Sequence, residues 1–475
     1  MVAHGRKRTL ALAIVILGNA MMMLDLTIVN VALPTMRTSL DAGESALSWA
    51  MSGFSLANAL ILIPSGRLAD RWGHARVFLL GIGIFGVASL CSGLAADQVQ
   101  FISARVVQGL GAGIMLPTVG ALIQLMYEPR ERSRAFAALG ATLGISGAIG
   151  PSLGGLIIQA FGHDTGWRWV FFINVPLVAL AVVAGFIVLP KRTASGASGV
   201  DVIGLVLVSL ALASILVPVI EGGDWGWPWW AIAIIVAGLG LLVLFAAWER
   251  RYAARGRTPL VPPRLFAHAA FTGGILLAFV YFAAFTSIFF ALSLLWQSGL
   301  GQSALSTGLV VLSFSIAAVA GSLSSPRVTA RLGRSALALG AGMLTVGIAT
   351  LAVVLAAVPG VELRHWHFVA PMAIAGFGSG VFIAPNIQFI VATVDRDVAG
   401  SANGVANTMQ RVGAALGVAV SGAVLFGLLD PLEASGLSHA DAFTDATAVS
   451  LGISAVLAAA AFGLVFALPK RAGGA

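Results

Sequence analysis

Of 475 residues, 59% are hydrophobic and only 10% charged, far fewer charges than the roughly one quarter of an ordinary soluble domain. Such a chain is built for a bilayer rather than for water, which excludes a soluble enzyme or a nucleic-acid-binding module. The net charge of +8 is spread over many short joints instead of one basic patch, so it reports topology rather than an anionic partner, and the single Cys91 forms no intrachain disulfide.

The N-terminal Arg6, Lys7 and Arg8 precede an apolar run too long for a signal peptide, and no small-residue cleavage site follows it. Apolar stretches long enough to cross a bilayer then recur near 10–34, 46–65, 77–95, 101–126, 135–161, 170–189, 202–220, 229–247, 269–295, 304–325, 335–358, 367–394, 400–429 and 446–468. The expectation is an all-α polytopic membrane protein with fourteen spans. An even count puts both termini on one side. Of the 27 Lys and Arg residues, only Arg37, Arg168 and Arg364 fall in the loops of the opposite side, so the terminal side is cytoplasmic.

In the first span, MMMLDLTIVNVALP places Asp25 about 13 Å inside the outer helix end, one turn beyond Met21 and Met22. A carboxylate at that depth either holds a cation or caps a break, or it marks an ion pathway. The methionines suit a cavity that takes varied ligands, or plain packing. After the second span, GRLADRWGHAR (Gly66 to Arg76) reads as a cytoplasmic loop; its Asp70, among arginines, can cap a neighbouring helix N-terminus. GIGIFG (Gly81 to Gly86) fits a dinucleotide pattern only in letters, because no strand precedes it; it reads as helix packing.

In the fourth span, RVVQGLGAG carries Arg105, either snorkelling to the outer boundary or buried against a carboxylate, with Asp25 nearest in depth. The fifth span, GATLGISGAIGPSLGGLI, combines close-packing small residues with Pro151, a kink former. The glycines of GLGAGIMLP (Gly109 to Pro117) recur in GFGSGVFIAP (Gly376 to Pro385), and Ser146, Gly150 and Gly155 correspond to Gly413, Gly417 and Gly422. A parallel repeat follows: a six-helix half over 1–190, an inserted pair, spans 7 and 8, over 191–268, and a second half over 269–475, with a cavity between the halves. In the thirteenth span Asn403, Asn407 and Arg411 form one polar stripe facing that cavity.

These motifs resemble those of the major facilitator superfamily. The resemblance of GRLADRWGHAR implies that Gly66, Asp70, Arg71 and Arg76 serve a latch controlling cytoplasmic closure; in the second half Ala330 stands where the aspartate would fall. RVVQGLGAG resembles the arginine signature linked to proton transfer, and Gly150, Pro151, Gly154 and Gly155 resemble the antiporter signature, implying a bent fifth helix that seals against leak, with Ser146 a mild departure. LDLTIVNVALP, WRWVFFINVP and GSANGVANTMQRVGAALG resemble the fourteen-helix drug:proton antiporters of the EmrB/QacA type, so the resemblance covers essentially the whole chain. Some relatives carry membrane-embedded acids in the thirteenth helix for multivalent cations; this chain has none there, which speaks against dicationic substrates.

The expectation is therefore a monomeric, multi-pass exporter of the bacterial inner (cytoplasmic) membrane, not an enzyme. It would move lipophilic drugs, antibiotics or metabolites outward against protons, with Asp25 and Arg105 as the coupling pair. Met21, Met22, Asn403, Asn407 and Arg411 are the candidate cavity residues. No cofactor, metal, Walker sequence or nucleic-acid partner is expected, the proton gradient being the energy source. The alternatives are a dedicated exporter of one endogenous metabolite and a receptor or sensor on a transporter fold.

Overall fold

In hydrocarbon a backbone can satisfy its polar groups only within its own segment, so each long apolar run closes into a helix. The computed structural model describes residues 2–41, 44–162, 165–190, 201–222, 225–302, 304–391, 394–395 and 398–468. In chain order the helices are α1 (Val2–Ser39), α2 (Glu44–Trp72), α3 (His74–Leu94), α4 (Gln98–Met126), α5 (Pro129–Phe161), α6 (Gly166–Phe172), α7 (Asn174–Val188) and α8 (Val202–Glu221). They continue with α9 (Trp229–Ala254), α10 (Ala269–Leu294), α11 (Ala304–Leu332), α12 (Ser335–Ala357), α13 (His365–Val391), α14 (Ala399–Ala434) and α15 (His439–Ala467). No strand occurs among the described residues.

Twelve described segments are long and apolar enough to cross a membrane, α6 and α7 counting as one, Gly166–Val188. That segment is interrupted at Ile173 because Pro176 offers no amide to the Phe172 carbonyl. The two long helices outside this set are α2 and α5, of 29 and 33 residues. Several helices outrun their expected spans; α1 continues past Pro34 to Ser39.

Helices α1–α7 pack on one another, as do α10–α15, while α8 and α9 pair together and lean on α2 and α14. The contacts repeat: α2 on α4 and α3 on α4 match α11 on α13 and α12 on α13, and α1 on α5 matches α10 on α14. The repeated glycines explain why. A methyl at Gly109 would overlap the Phe54 carbonyl of α2, and one at Gly376 would overlap the Phe314 carbonyl of α11. Gly113 and Gly380 likewise press on the carbonyls of Asn58 and Ala318. Without hydrophobic drive between helices in lipid, such backbone approach is what holds them together. GIGIFG lies inside α3, with Gly81 against Gly111 and Met115 and Gly86 against Val178, as helix packing requires.

GRLADRWGHAR is not a loop. Gly66–Trp72 ends α2 and His74–Arg76 begins α3, with only Gly73 between them. Its φ of +93° makes a turn tight enough to need nothing longer; Gly333, between α11 and α12, repeats it at +56°. The two bundles meet along two seams related by the repeat, α5 on α11 and α2 on α14. Gly66 and Gly400 cross there backbone to backbone, and Gly140 faces Ser322.

Overpacking a glycine seam costs about 1–3 kcal/mol, so Gly109→Val and Gly376→Val should each clearly lower the midpoint of thermal unfolding in detergent. Gly155 has open space around its Cβ position. Gly155→Ala should stay within about 0.5 kcal/mol of the parent, and a loss as large as for the other two would contradict this packing.

Candidate functional site

Asp25 and Arg105 meet in the interior of the α1–α7 bundle. The Arg105 Nη1 donates to Asp25 Oδ2 at 2.6 Å and to Gln108 Oε1 at 2.7 Å, and Arg105 Nε donates to the Ala50 carbonyl at 3.3 Å. Gln108 Nε2 closes the ring by donating to Asp25 Oδ1 at 2.8 Å. Arg105 is 0% exposed, so it does not snorkel, and Asp25 is 2% exposed. The guanidinium lies over the rings of Phe54, at 4.4 Å, and Phe171, at 5.7 Å. Its Nη2 alone has no partner among the described residues. Burying two charges is repaid only when geometry and added hydrogen bonds are good, and here both are present.

The ring extends further. Gln108 Nε2 reaches Ser89 Oγ at 3.4 Å, Asn174 Nδ2 donates to the same oxygen at 3.0 Å, and Ser89 Oγ donates to the Phe171 carbonyl at 3.1 Å. Five helices, α1, α2, α3, α4 and α7, thus converge with α6 on one polar cluster. Gln108, Ser89 and Asn174 are functional candidates that motif reading passes over. Gln108 is detectable as the residue one turn after Arg105, on the same helix face, and Asn174 as the amide inside INVP. Ser89 has no such signal, because only the fold brings it near.

Gly150 and Gly154 of α5 pack on Thr27 and Ile28 of α1, the turn immediately after Asp25. The antiporter-like motif therefore braces the helix that carries the carboxylate. Gly155 faces open space, and the side chain of Pro151 lies outside the described residues.

Asp70 sits at the start of α14. Its Oδ1 accepts from the Gly400 amide at 2.8 Å, and its Oδ2 accepts from the Ser401 amide at 2.9 Å and from Ser401 Oγ at 2.7 Å. A carboxylate from α2 thereby satisfies the orphan amides and positive end of α14, joining the two bundles. His74 Nε2 stands 3.6 Å from the same carboxylate. Arg71 and Arg76 make no ion pair or hydrogen bond among the described residues, and Arg67 is the arginine whose charge Asp70 feels. In the described contacts Asp70 acts as a helix cap, with the Gly400 and Ser401 amides as its backbone donors.

Between the bundles lies a cavity of about 510 Å³, lined from α1 by Asn19, Met23, Leu26 and Thr27 and from α14 by Asn403, Asn407, Gln410 and Arg411. Asn403, Asn407 and Arg411, the polar stripe of the thirteenth span, lie in its wall. Met21 and Met22 do not: both are packed in the core of the α1–α7 bundle, 1% and 0% exposed, and Met23 takes the cavity position. The helix turns 100° per residue, so the neighbour one step on, not the pair one turn before Asp25, points inward. Asp25 itself does not line the cavity.

Removing one partner of a buried ion pair costs about 3–5 kcal/mol. Arg105→Ala should therefore unfold at markedly lower temperature than the parent, and Asp25→Asn combined with Arg105→Ala should recover part of the loss; additive losses would mean the two charges are not coupled. At the latch, Asp70→Asn should shift the latched population about tenfold or more, since hydrogen bonds to a charged group contribute roughly 1.5–3 kcal/mol. Spin labels on Trp72→Cys and Asp395→Cys in a Cys91→Ser background should then show a broadened, longer distance distribution, and an unchanged one would contradict the capping role.

A family model for the Major Facilitator Superfamily matches residues 15–201 and 189–418. A probable actinorhodin transporter of Streptomyces coelicolor is 34% identical over 424 residues, covering 89% of this chain and 73% of that protein. The puromycin resistance protein pur8 of Streptomyces alboniger is 32% identical over 426 residues, covering 89% and 82%. The solved human organic anion transporter MFSD10 superposes with a TM-score of 0.65 at 17% identity, covering 95% of this chain and 99% of that one, a likeness of fold alone. With the repeated bundles, the central cavity and the matched model agreeing, the chain belongs to the Major Facilitator Superfamily of non-enzymatic membrane transporters.

Proposed function

We propose that the protein is a proton-coupled antiporter of the fourteen-helix EmrB/QacA type, exporting antibiotics or other lipophilic small molecules across the bacterial cytoplasmic membrane. The observation that carries this reading is the buried Asp25–Arg105–Gln108 ring, a titratable carboxylate held by a fixed cation inside the bundle whose α1 also lines the cavity. A carboxylate in that setting is costly unless it works, and such residues mark proton pathways in transporters. The relatives named for actinorhodin transport and puromycin resistance support small-molecule export.

In this reading α2 and α5 span the membrane with the twelve segments above, α6 and α7 together making one of them. Both termini are cytoplasmic, as the distribution of Lys and Arg requires. Residues 1–190 and 269–475 are the two halves and 191–268 the inserted pair. The Asp70 cap closes the cytoplasmic end, and the halves rock about the cavity. When the proton reaches Asp25, its attraction for Arg105 falls, α1 shifts against Gly150 and Gly154, and the cavity face carrying Asn19, Met23 and Thr27 moves with it. Coupling thus runs through one helix rather than through shared contact with substrate. The actinorhodin-named relative gives weight to a second reading, a dedicated exporter of one metabolite; a drug panel separates the two by how many compounds respond.

Purified protein in weakly buffered detergent should release protons on addition of at least one compound from a panel of cationic, neutral and anionic drugs, and Asp25→Asn should abolish that release. Release that survives in Asp25→Asn would move the proton site elsewhere and leave Asp25 a structural partner of Arg105.

A further inference from the structure

Arg411 is the one cationic side chain in the wall of the central cavity, and no carboxylate lines that cavity among the described residues. Arg105 has Asp25, yet Arg411 makes no ion pair or hydrogen bond there. Its neighbours on the stripe are already engaged: Asn407 Nδ2 donates to the Asn403 carbonyl at 2.8 Å, and Asn403 Nδ2 to the Ala399 carbonyl at 2.7 Å. A guanidinium in the middle of a membrane protein normally finds a counter-charge, because an unpaired one is expensive. Among the described residues no counter-charge stands beside it, and its side chain lines the cavity.

Another part of the wall is aromatic. Phe285, Phe289 and Phe314 form a cluster with ring centroids 5.0–5.8 Å apart. Polar residues elsewhere in the wall are neutral hydroxyls and amides. A site with a planar guanidinium, a bank of aromatic faces and room for a drug-sized molecule selects by charge and by shape together.

We infer that the cavity is an anion-selective substrate site, in which Arg411 pairs with the carboxylate, phenolate or enolate oxygen of a planar aromatic compound whose ring system packs on the Phe285–Phe289–Phe314 cluster. The inference rests on the transport reading and adds the substrate's charge class to it. Bidentate guanidinium pairing favours the oxyanion. An aromatic cation would meet Arg411 with no carboxylate to offset the repulsion.

Matched pyrene probes test it in purified protein at fixed pH: pyrenebutyrate, its uncharged amide, and a pyrenylmethyl trimethylammonium. Fluorescence titration of the parent should give pyrenebutyrate an affinity about tenfold or more above the amide, with the cation weakest. Arg411→Gln should lose the anion preference while holding the amide unchanged, which also shows that the variant is folded, and Arg411→Lys should keep part of it. Equal affinities for the three probes in the parent, or an anion preference that survives Arg411→Gln, would overturn the assignment. The same titration in Asp25→Asn separates the two readings. Anion preference retained there while proton release fails leaves the subsite standing without its coupling; proton release intact in a parent that shows no anion preference overturns the subsite and leaves the exporter.

Discussion

The structure depends on one ion pair in a place where charges are expensive. Asp25 and Arg105 stand 2.6 Å apart at essentially zero exposure, and neither is tolerable there alone. Satisfying them recruits the Ala50 carbonyl from α2, Gln108 from α4 and, through Ser89 and Asn174, α3 and α7. The α1–α7 bundle is therefore organised around a charge balance as well as around its apolar contacts. The α10–α15 bundle, built on the same repeat, has the buried, apolar Met372 and Ala375 where Arg105 and Gln108 would fall. The division is asymmetric: a buried ion pair on one side of the cavity, and on the other an apolar interior with Arg411 at the cavity wall.

That asymmetry separates two tasks. The carboxylate does not line the cavity, whose wall comes from the adjacent turns of α1 and from α4, α5, α10, α11, α13 and α14. In the proposed cycle proton and substrate need not compete for the same atoms. Each biases the position of α1 and of the seams between bundles, which is sufficient for coupling between two sites. The Asp70 cap is the matching element at the end of the seam. It joins α2 to α14, and α14 is the helix that carries Asn403, Asn407 and Arg411 into the cavity.

Much of this was legible in the chain. The apolar runs, the recurring glycines, the buried aspartate with its arginine and the capping aspartate follow from composition, period and charge at depth. Other features depended on geometry that one-dimensional spacing leaves open. Met21 and Met22 share a helix face with Asp25, but that face turns into the bundle, so Met23 reaches the cavity. Arg71 and Arg76 look like partners of Asp70 because they are near in sequence; the true donors, Gly400 and Ser401, are more than three hundred residues away. GRLADRWGHAR reads as a loop because it is polar, yet one left-handed glycine replaces the loop. Ser89 joins the polar cluster only through tertiary packing.

In the proposed cycle the protonation of Asp25 and the latching of the two bundles are linked. Infrared titration of the Asp25 carboxyl band, identified by its loss in Asp25→Asn, measures this directly when run on lipid-reconstituted parent protein and on Asp70→Asn. The titration midpoint should move when the latch is removed. A midpoint identical in the two proteins would contradict it, and would leave the buried pair and the latch as independent features of one fold.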